Sequence, residues 1–297
     1  MKLRNYQHEA IFKLRQEIRI KDAETGRRYR PILCLPTGAG KTVTFSHLAD
    51  TAINKGSTIG VTCHRTELIE QARGTMQVYG VDMGAVHFGM VQTYVRSPHK
   101  IPDVDLWIID ECHIGNFRRF IDLLTSKNPQ IVIIGATATP ISASNKTPLK
   151  HLFDSVVCPI QIKDLMDDGY LSRPYYIRYT VDDGKLKKDR NGEFTAESQA
   201  NVFSEEELLH EINQINEKTI IFTSSIASAE DVHSKVQAAG ITSYLVHSQM
   251  TTDEREEVVA MYKAHDMNDR VAIVNCTILT AGFDDAHIRR GIIYRAT

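Results

Sequence analysis

The stretch Leu35-Pro36-Thr37-Gly38-Ala39-Gly40-Lys41-Thr42 follows a short apolar run and opens a helical pattern. This order of strand, loop and helix is the one that binds phosphate at a helix N-terminus. Gly38 and Gly40 let the backbone turn tightly, so that successive N–H groups point at one anion. Lys41 would bring a charge to the outer phosphates, and the Thr42 hydroxyl would ligate Mg²⁺. We therefore predict a nucleoside triphosphate site. An ordinary loop is the alternative, because Leu35 replaces the first glycine of the strict pattern.

A second chemical signal is the segment Asp110-Glu111-Cys112-His113, which ends the apolar run Leu106-Trp107-Ile108-Ile109. Such a run is typical of a buried parallel strand, and a carboxylate at its C-terminal end faces the ligand crevice of an open sheet. Asp110 could hold Mg²⁺ through water, and Glu111 could polarise the water that attacks the γ-phosphate. Two solvated acids that cap a strand are the alternative, which the upstream loop disfavours.

Together these segments resemble the superfamily 2 helicases and translocases, whose second motif reads D-E-x-H. Arg4, Tyr6 and Gln7 resemble the R-x-Y-Q segment that reads adenine in the branch with restriction-enzyme translocating subunits and phage and repair DNA helicases. Five further segments resemble later motifs in the family's order: Cys63-His64-Arg65-Thr66-Glu67-Leu68 with Gln71, Val91-Gln92-Thr93, Thr137-Ala138-Thr139-Pro140, Ile220-Ile221-Phe222-Thr223-Ser224 with His247 and Arg255 downstream, and Leu279-Thr280-Ala281-Gly282-Phe283-Asp284. This ordering is more specific than any single motif.

The resemblance implies a role for individual residues. The catalytic residues would be Lys41, Asp110, Glu111 and His113, and the residues that hold Mg²⁺, partly through water, would be Thr42 and Asp110. The residues that bind ATP would be Arg4, Gln7, Thr37, Gly38, Ala39, Gly40, Lys41, Thr42, Gly282 and Asp284. The residues that contact the backbone of a nucleic-acid strand would be Arg65, Thr93, Ser224 and Thr280. Hydroxyls and a guanidinium suit such sequence-independent hydrogen bonds.

Several of these residues have simpler alternatives. Arg65 could form a salt bridge with Glu67 or Glu70. Thr93 and Ser224 could be ordinary strand-end hydroxyls bonded to their own backbone. His113 is either a satisfied crevice histidine or, as the family implies, a link to the third motif.

The alternation of strand and helix patterns predicts an α/β fold with parallel sheets. We expect two RecA-like lobes, with lobe 1 over residues 1–165, a linker or hairpin over 166–202 and lobe 2 over 203–297. The predicted helices cover about 5–20, 41–55, 66–79, 117–124, 227–239 and 253–264. The predicted strands cover about 32–35, 58–63, 106–110, 131–134, 219–223, 243–246 and 271–275.

One family motif has no counterpart in this sequence. The family ends its second lobe with Q-x-x-G-R-x-x-R, whose arginines reach the γ-phosphate, and no such segment precedes Thr297. Arg289, Arg290 and Arg295 lack the helical spacing that the family uses. We therefore expect the second lobe to be C-terminally truncated. Efficient turnover would then need further residues, because an arginine finger contributes several orders of magnitude to phosphoryl transfer.

The function that the resemblance implies is an ATP-dependent helicase or translocase that couples hydrolysis to movement along a strand. DNA is favoured over RNA as the track, as a single strand or a junction of duplex and single strand. The alternatives are the motor subunit of a restriction complex, an RNA helicase, and a nucleotide-gated clamp that binds nucleic acid without efficient turnover. Protein partners cannot be read from these motifs.

Composition restricts where and how such a protein works. The formal net charge of −2 argues against attraction of nucleic acid by the overall charge of the protein. Any nucleic-acid contact must therefore be confined to a local part of the surface. The five cysteines are scattered singly and suggest reduced core residues in the cytoplasm, including the host cytoplasm for a viral protein. No apolar run reaches membrane-spanning length, and the start lacks a secretory apolar region. The basic cluster Lys185, Lys187, Lys188 and Arg190 predicts a solvated loop, with nucleic-acid contact as the alternative.

Overall fold

The computed structural model describes residues 2–114, 117–141, 148–179, 183–188, 194–200, 204–276, 278–280, 283 and 285–295. The chain divides into two compact units, Met1–Pro174 and Tyr175–Thr297. Each unit contains its own parallel sheet flanked by helices, so the predicted α/β class with two parallel sheets is confirmed.

The first unit has a six-stranded sheet. Its strands are β1 (Pro31–Cys34), β2 (Ile59–Cys63), β3 (Val86–Met90), β4 (Leu106–Asp110), β5 (Val132–Thr137) and β6 (Ser155–Val157). Its helices are α1 (Asn5–Glu17), α2 (Lys41–Ile53), α3 (Thr66–Val78), α4 (Val91–Arg96), α5 (Arg118–Lys127) and α6 (Ile162–Asp167). The strand order is β3-β2-β4-β5-β1-β6, and all the described strand pairs are parallel.

Apolar side chains cover both faces of this sheet. Leu14 of α1, Phe45 of α2 and Met76 of α3 are fully buried on one face, while Phe120 of α5 is buried on the other. Strands between two such layers are apolar along their whole length, and all five residues of β2 and of β4 are buried. Since the strands are parallel, the segments that follow β1, β2, β3 and β4 all begin at the same edge of the sheet.

The strand and helix patterns did not predict β3, α4, β6 or α6. In β3 only Val86 is buried, so the strand lacks the apolar run that marks β2 and β4. The other three elements are at most six residues long, which is too short for a helical or strand period to stand out. Short, partly exposed elements are therefore the part of this unit that the sequence patterns left open.

A close contact between a glycine and the single tryptophan lies in the centre of this sheet. A β-carbon added to Gly60 of β2 would lie 2.5 Å from Cε3 of Trp107 on the neighbouring strand β4. Trp107 is fully buried and packs edge-on against Phe120, with 5.0 Å between ring centroids, so it has little room to move. Only glycine fits at this position without a shift of the core.

We expect Gly60→Ala to lower the free energy of unfolding of the first unit by about 1–3 kcal/mol, the usual cost of overpacking. Gly74→Ala is the matched control, because Gly74 lies inside α3 with open space around its Cα. This control should stabilise the unit by up to about 1 kcal/mol through helix propensity. Urea unfolding followed by the fluorescence of Trp107 measures both, and equal midpoints for the two variants would contradict the packing argument.

The second unit has a four-stranded parallel sheet in the order β10-β7-β9-β8. Its strands are β7 (Thr219–Thr223), β8 (Thr242–Val246), β9 (Val271–Asn275) and β10 (Arg290–Tyr294). Its helices are α7 (Ala196–Ala200), α8 (Glu205–Asn213), α9 (Ile226–Ala238) and α10 (Thr252–Lys263). The predicted strands over 219–223, 243–246 and 271–275 agree with β7, β8 and β9.

A buried ion pair stands at the start of β7. Lys218 is completely buried, and its ammonium lies 2.9 Å from Oδ2 of Asp285 and donates to the carbonyl oxygen of His265 at 2.6 Å. Burial raises the pKa of Asp285, but the hydrogen bonds from the Lys218 ammonium and the His287 N–H outweigh it, so the pKa is lowered. This pair fastens the chain just before β10 to the start of the central strand.

Two expectations concern the segment between the sheets and the cysteines. Part of the predicted linker or hairpin over 166–202 lies outside the described residues, as does Arg190, but Lys188 and Phe194 form an antiparallel bridge. Cys34, Cys63, Cys112 and Cys276 are buried as expected. The expectation is wrong for Cys158, which is exposed because it follows the edge strand β6. Among the described residues, no helix is both long and apolar enough to cross a membrane.

Candidate functional site

The predicted phosphate loop connects β1 to α2. Gly38 and Gly40 have φ values of +79° and +77°, in the left-handed region that favours glycine. Gly40 is the N-cap of α2, so the helix begins at Lys41. Thr37 and Gly38 are exposed, whereas Ala39 is buried. The first N–H groups of α2 therefore lie at the end of an exposed loop, which is a geometry that suits an anion.

Lys41 lies between the carboxylate of Asp110, the last residue of β4, and that of Glu111, the residue after it. Its Nζ is 2.9 Å from Oδ1 of Asp110 and also contacts Glu111. Only 12% of the Lys41 side chain is exposed, and burial lowers its pKa. The attraction of both carboxylates outweighs burial, so the pKa of Lys41 is raised and the ammonium stays charged. One cation and two anions leave this cluster with a net negative charge.

The net negative charge of the cluster of Lys41, Asp110 and Glu111 bears on whether this site could hold Mg²⁺. Asp110 offers a carboxylate and Thr42 a hydroxyl, which are hard oxygen ligands of the kind Mg²⁺ prefers. The described residues contain no group of three or more histidine, cysteine or acidic side chains arranged around one metal position. Mg²⁺ that is bound with phosphate needs only one or two protein ligands, so the predicted pair does not require a larger cluster. The negative cluster favours a divalent cation beside the loop.

The backbone at Glu111 is strained. Its φ is +48°, and it is the one non-glycine residue with positive φ in the described part of the chain. Its N–H donates to Oδ1 of Asp110 at 2.9 Å, and the next N–H, of Cys112, donates to the carbonyl oxygen of Ala136 at 3.1 Å. A non-glycine residue in this region costs about 1–3 kcal/mol and is found mostly at functional sites. The turn directs the Glu111 side chain to Lys41.

His113 links the cluster to the end of β5. Its Nδ1 is 2.7 Å from Oγ1 of Thr137 and 3.3 Å from Oε2 of Glu111. Burial lowers the pKa of His113, so the imidazole is neutral at pH 7. Because a carboxylate only accepts, we assign the ring proton to Nδ1. Thr137 is the first residue of Thr137-Ala138-Thr139-Pro140, the segment that resembles the third motif of the family. The hydrogen bond that satisfies His113 is therefore also its link to that motif.

Arg4, Tyr6 and Gln7 pack directly against the loop. The Tyr6 hydroxyl donates to the carbonyl oxygen of Ala39 at 2.8 Å, and Nε2 of Gln7 donates to the same oxygen at 3.0 Å. Gln7 also accepts a hydrogen bond from the N–H of Arg4 at 2.9 Å and is 4% exposed. A β-carbon on Gly40 would lie 2.6 Å from Nε2 of Gln7. These residues therefore brace the loop.

Tyr170 and Leu171 also contact this site, although the sequence motifs did not indicate them. A β-carbon on Gly38 would lie 2.7 Å from Cδ2 of Leu171. The guanidinium carbon of Arg4 lies 4.2 Å from the centre of the Tyr170 ring. The signal that could have found them is Gly169, a helix-ending glycine with φ of +74°, placed directly before an aromatic and an aliphatic residue.

Arg65 and Thr93 follow neighbouring strands at the same edge of the first sheet. Arg65 is the exposed N-cap residue of α3 after β2, and Thr93 is exposed on α4 after β3. Gln92 joins these segments, since its Nε2 donates to the carbonyl oxygen of His64 at 3.0 Å. Glu70 pairs with Arg73, and Arg65 has no ion pair among the residues that the structure describes. The structure therefore brings these two candidates together on an exposed edge.

The candidates in the second unit are only partly described. Ser224 is half-buried and follows β7, immediately before Ser225, whose hydroxyl caps α9. Thr280 belongs to the single turn Ile278–Thr280 after β9, the strand next to β7. Gly282 and Asp284 lie outside the described residues. Asn275 was not predicted and is fully buried; it ties these strand ends together by donating to the carbonyl oxygen of Ile221 at 3.0 Å.

Comparisons with known families match both ends of the chain. Residues 1–96 match the family described as "Type III restriction enzyme, res subunit". Residues 204–297 match the "Helicase conserved C-terminal domain". A 51.5 kDa protein of a Lactococcus phage (isolate 7-9) is 24% identical over 271 residues, which are 88% of this chain and 58% of that protein.

Two solved structures share the fold. The ATP-dependent Type ISP restriction-modification enzyme LlaBIII, bound to DNA, superposes with a TM-score of 0.62 at 14% identity, over 99% of this chain and 26% of that one. S. cerevisiae Dbp5 L327V, bound to RNA and ADP BeF3, superposes with a TM-score of 0.58 at 14% identity, over 99% of this chain and 79% of that one. The chain spans less than two thirds of the phage protein and of LlaBIII.

Proposed function

Because this chain has the fold of the superfamily 2 helicases, we propose that it is the ATP-hydrolysing core of a nucleic-acid helicase or translocase. The observation that carries the proposal is the cluster of Lys41, Asp110 and Glu111 beside the glycine loop. A loop that served only to connect a strand to a helix would not require a buried ammonium and two carboxylates at the N-terminus of that helix. A nucleotide with its phosphates on that helix explains all of these features.

In the proposed mechanism, the N–H groups at the start of α2 bind the phosphates of ATP. Lys41 stabilises the negative charge of the phosphoryl group while it is transferred. Thr42 and Asp110 would hold Mg²⁺, which neutralises charge on the phosphate oxygens when bound. Glu111 accepts a proton from the attacking water, and its strained backbone fixes the direction of its carboxylate. Gly282 and Asp284 of the second unit are proposed to complete the nucleotide contacts.

Hydrolysis would be coupled to nucleic acid through His113. Its Nδ1 contacts Glu111 on one side and Thr137 on the other, so a shift of the carboxylate changes the position of the segment after β5. Arg65 and Thr93 on the first unit, with Ser224 and Thr280 on the second, are proposed to bind the strand backbone through sequence-independent hydrogen bonds. If the residues of the first unit and those of the second unit bind the strand alternately, the protein would move along it.

We propose DNA as the track, as a single strand or a junction with duplex, and RNA as the competing possibility. The fold does not choose between them, since the structural relatives include one bound to DNA and one bound to RNA. ATP hydrolysis should be measured without nucleic acid, with single-stranded DNA, and with RNA of the same base order. Greater stimulation by DNA supports the proposal, whereas greater stimulation by RNA would make the protein an RNA helicase. Binding of ATP and DNA without stimulation would indicate a nucleotide-gated clamp.

The motor of a restriction complex is a second candidate, favoured by the match of residues 1–96 to the restriction-enzyme family. In this second proposal the protein would move along duplex DNA without separating its strands. Displacement of a third strand from a triplex, without displacement from a tailed duplex, would identify it. Displacement from the tailed duplex would identify a helicase.

The proposed adenine contact is tested by Gln7→Ala. We expect this change to weaken binding of ATP about threefold to tenfold more than binding of inosine triphosphate, which lacks the adenine amino group. Tyr6→Phe is the control, because it removes one hydrogen bond to the Ala39 carbonyl and should weaken both nucleotides equally. Equal weakening by Gln7→Ala would show that Gln7 only braces the loop.

A further inference from the structure

The turn Gly169-Tyr170-Leu171 is rigidly attached to the core of the first unit. The N–H groups of Tyr170 and Leu171 both donate to the carbonyl oxygen of Leu165, at 2.8 and 3.0 Å. Leu165 is completely buried among the side chains that cover the sheet. Leu171 packs on the same cluster and contacts the phosphate loop at Gly38. The position of Tyr170 is therefore fixed by the backbone on both sides of it.

Tyr170 in turn fixes Arg4. The guanidinium carbon lies 4.2 Å from the centre of the Tyr170 ring, and Nη1 of Arg4 donates to the Tyr6 hydroxyl at 2.9 Å. That hydroxyl donates to the carbonyl oxygen of Ala39 in the loop. An arginine side chain normally keeps much rotamer freedom at a surface. Here one contact holds the guanidinium against the Tyr170 ring, and the other ties it through Tyr6 to the loop.

A guanidinium held in this way is a platform for a planar ring. Arg4 is only partly buried, and guanidinium groups stack on aromatic faces. The Gln7 amide, where the adenine edge would be read, lies in the same turn of α1 as Arg4 and accepts a hydrogen bond from its N–H. The guanidinium, through Tyr6, and the Gln7 amide are thus both tied to the Ala39 carbonyl of the loop that would hold the phosphates.

We propose that Tyr170 is a positioning residue for the nucleotide base: it holds the Arg4 guanidinium so that the purine of ATP stacks on it. This inference rests on the proposed function, because it requires ATP on the loop. It assigns an indirect role in base binding to a residue far along the chain from the R-x-Y-Q segment. Tyr170 acts through Arg4, whereas Leu171 supports the loop itself.

The test compares Mg-ATP with inorganic tripolyphosphate, which has the phosphates but no base. Dissociation constants are measured by calorimetry on the whole chain carrying Tyr170→Leu, Tyr170→Phe or the control Tyr176→Leu, which changes a tyrosine that is 73% exposed. We expect Tyr170→Leu to weaken ATP about fivefold, the value of one cation–π contact, and to leave tripolyphosphate unchanged. Tyr170→Phe keeps the ring face and should bind both ligands normally, as should the control.

A double-mutant cycle separates positioning from loop support. In an Arg4→Ala background, Tyr170→Leu should have no further effect on ATP binding, because the group through which it acts is gone. Equal weakening of ATP and tripolyphosphate by Tyr170→Leu, or undiminished weakening in the Arg4→Ala background, would overturn the inference. An unaltered protein that binds neither ligand would instead overturn the proposed function, and this inference with it.

Discussion

Glu111→Gln should leave the affinity for Mg-ATP nearly unchanged while slowing its hydrolysis by roughly a hundred- to ten-thousandfold. Glutamine has the shape of glutamate and keeps an oxygen that can accept a hydrogen bond from Lys41. It cannot accept a proton from water, and general base catalysis is typically worth a factor of this size. Asp110 remains 2.9 Å from Lys41, so the ammonium keeps a charged partner and stays in place.

Two measurements on the same protein decide this prediction. Binding of Mg-ATP is measured by calorimetry, and turnover is measured at saturating ATP with the nucleic acid that stimulates it best. Glu24→Gln is the control, because Glu24 is an exposed glutamate outside all the motif segments and should change neither quantity. An affinity that falls as far as the rate would make Glu111 a metal or structural residue rather than the base.

The agreement between sequence and structure is best where the signals are local. The conformation of the loop from Leu35 to Thr42 could be predicted from its own residues, since the glycines allow the positive φ values that the turn needs. The meeting of Lys41 with Asp110 followed from a general rule, because the carboxyl ends of parallel strands share an edge. Contacts without a motif could not be foreseen. Leu171 contacts Gly38 across more than 130 residues of chain, and neither its apolar side chain nor the helix-ending Gly169 before it indicates which segment it meets.

The structure also gives residues a second role that their motif does not contain. Gln7 was predicted from its resemblance to a base-reading residue, yet its amide donates to the carbonyl oxygen of Ala39. Cys112 stands at the variable position of D-E-x-H, and its sulfur would lie 2.9 Å from a β-carbon on Gly135. The cysteine is small enough to pack beneath that strand, and burial raises the pKa of its thiol well above the ordinary value. It is a core residue inside a segment that we propose to be catalytic.

Lys41→Ala should abolish ATP hydrolysis, with a loss of roughly a thousandfold or more. The variant keeps the N–H groups of the loop but loses the ammonium that stabilises the negative charge of the transferred phosphoryl group. It also leaves the carboxylates of Asp110 and Glu111 close together without the cation between them. Two adjacent, largely buried carboxylates repel each other and the phosphates of ATP, so we expect binding of ATP to weaken as well.

This double effect distinguishes Lys41 from Glu111, whose loss should affect the rate alone. Lys55→Ala, beyond the last turn of α2, is the control for loss of a lysine from the same helix region, and its exposed side chain should contribute nothing to turnover. Thermal unfolding followed by Trp107 fluorescence checks that Lys41→Ala remains folded at the assay temperature. Hydrolysis by folded Lys41→Ala at the rate of the unaltered protein would exclude the loop as the phosphate site. The ion pair with Asp110 and Glu111 would then be purely structural.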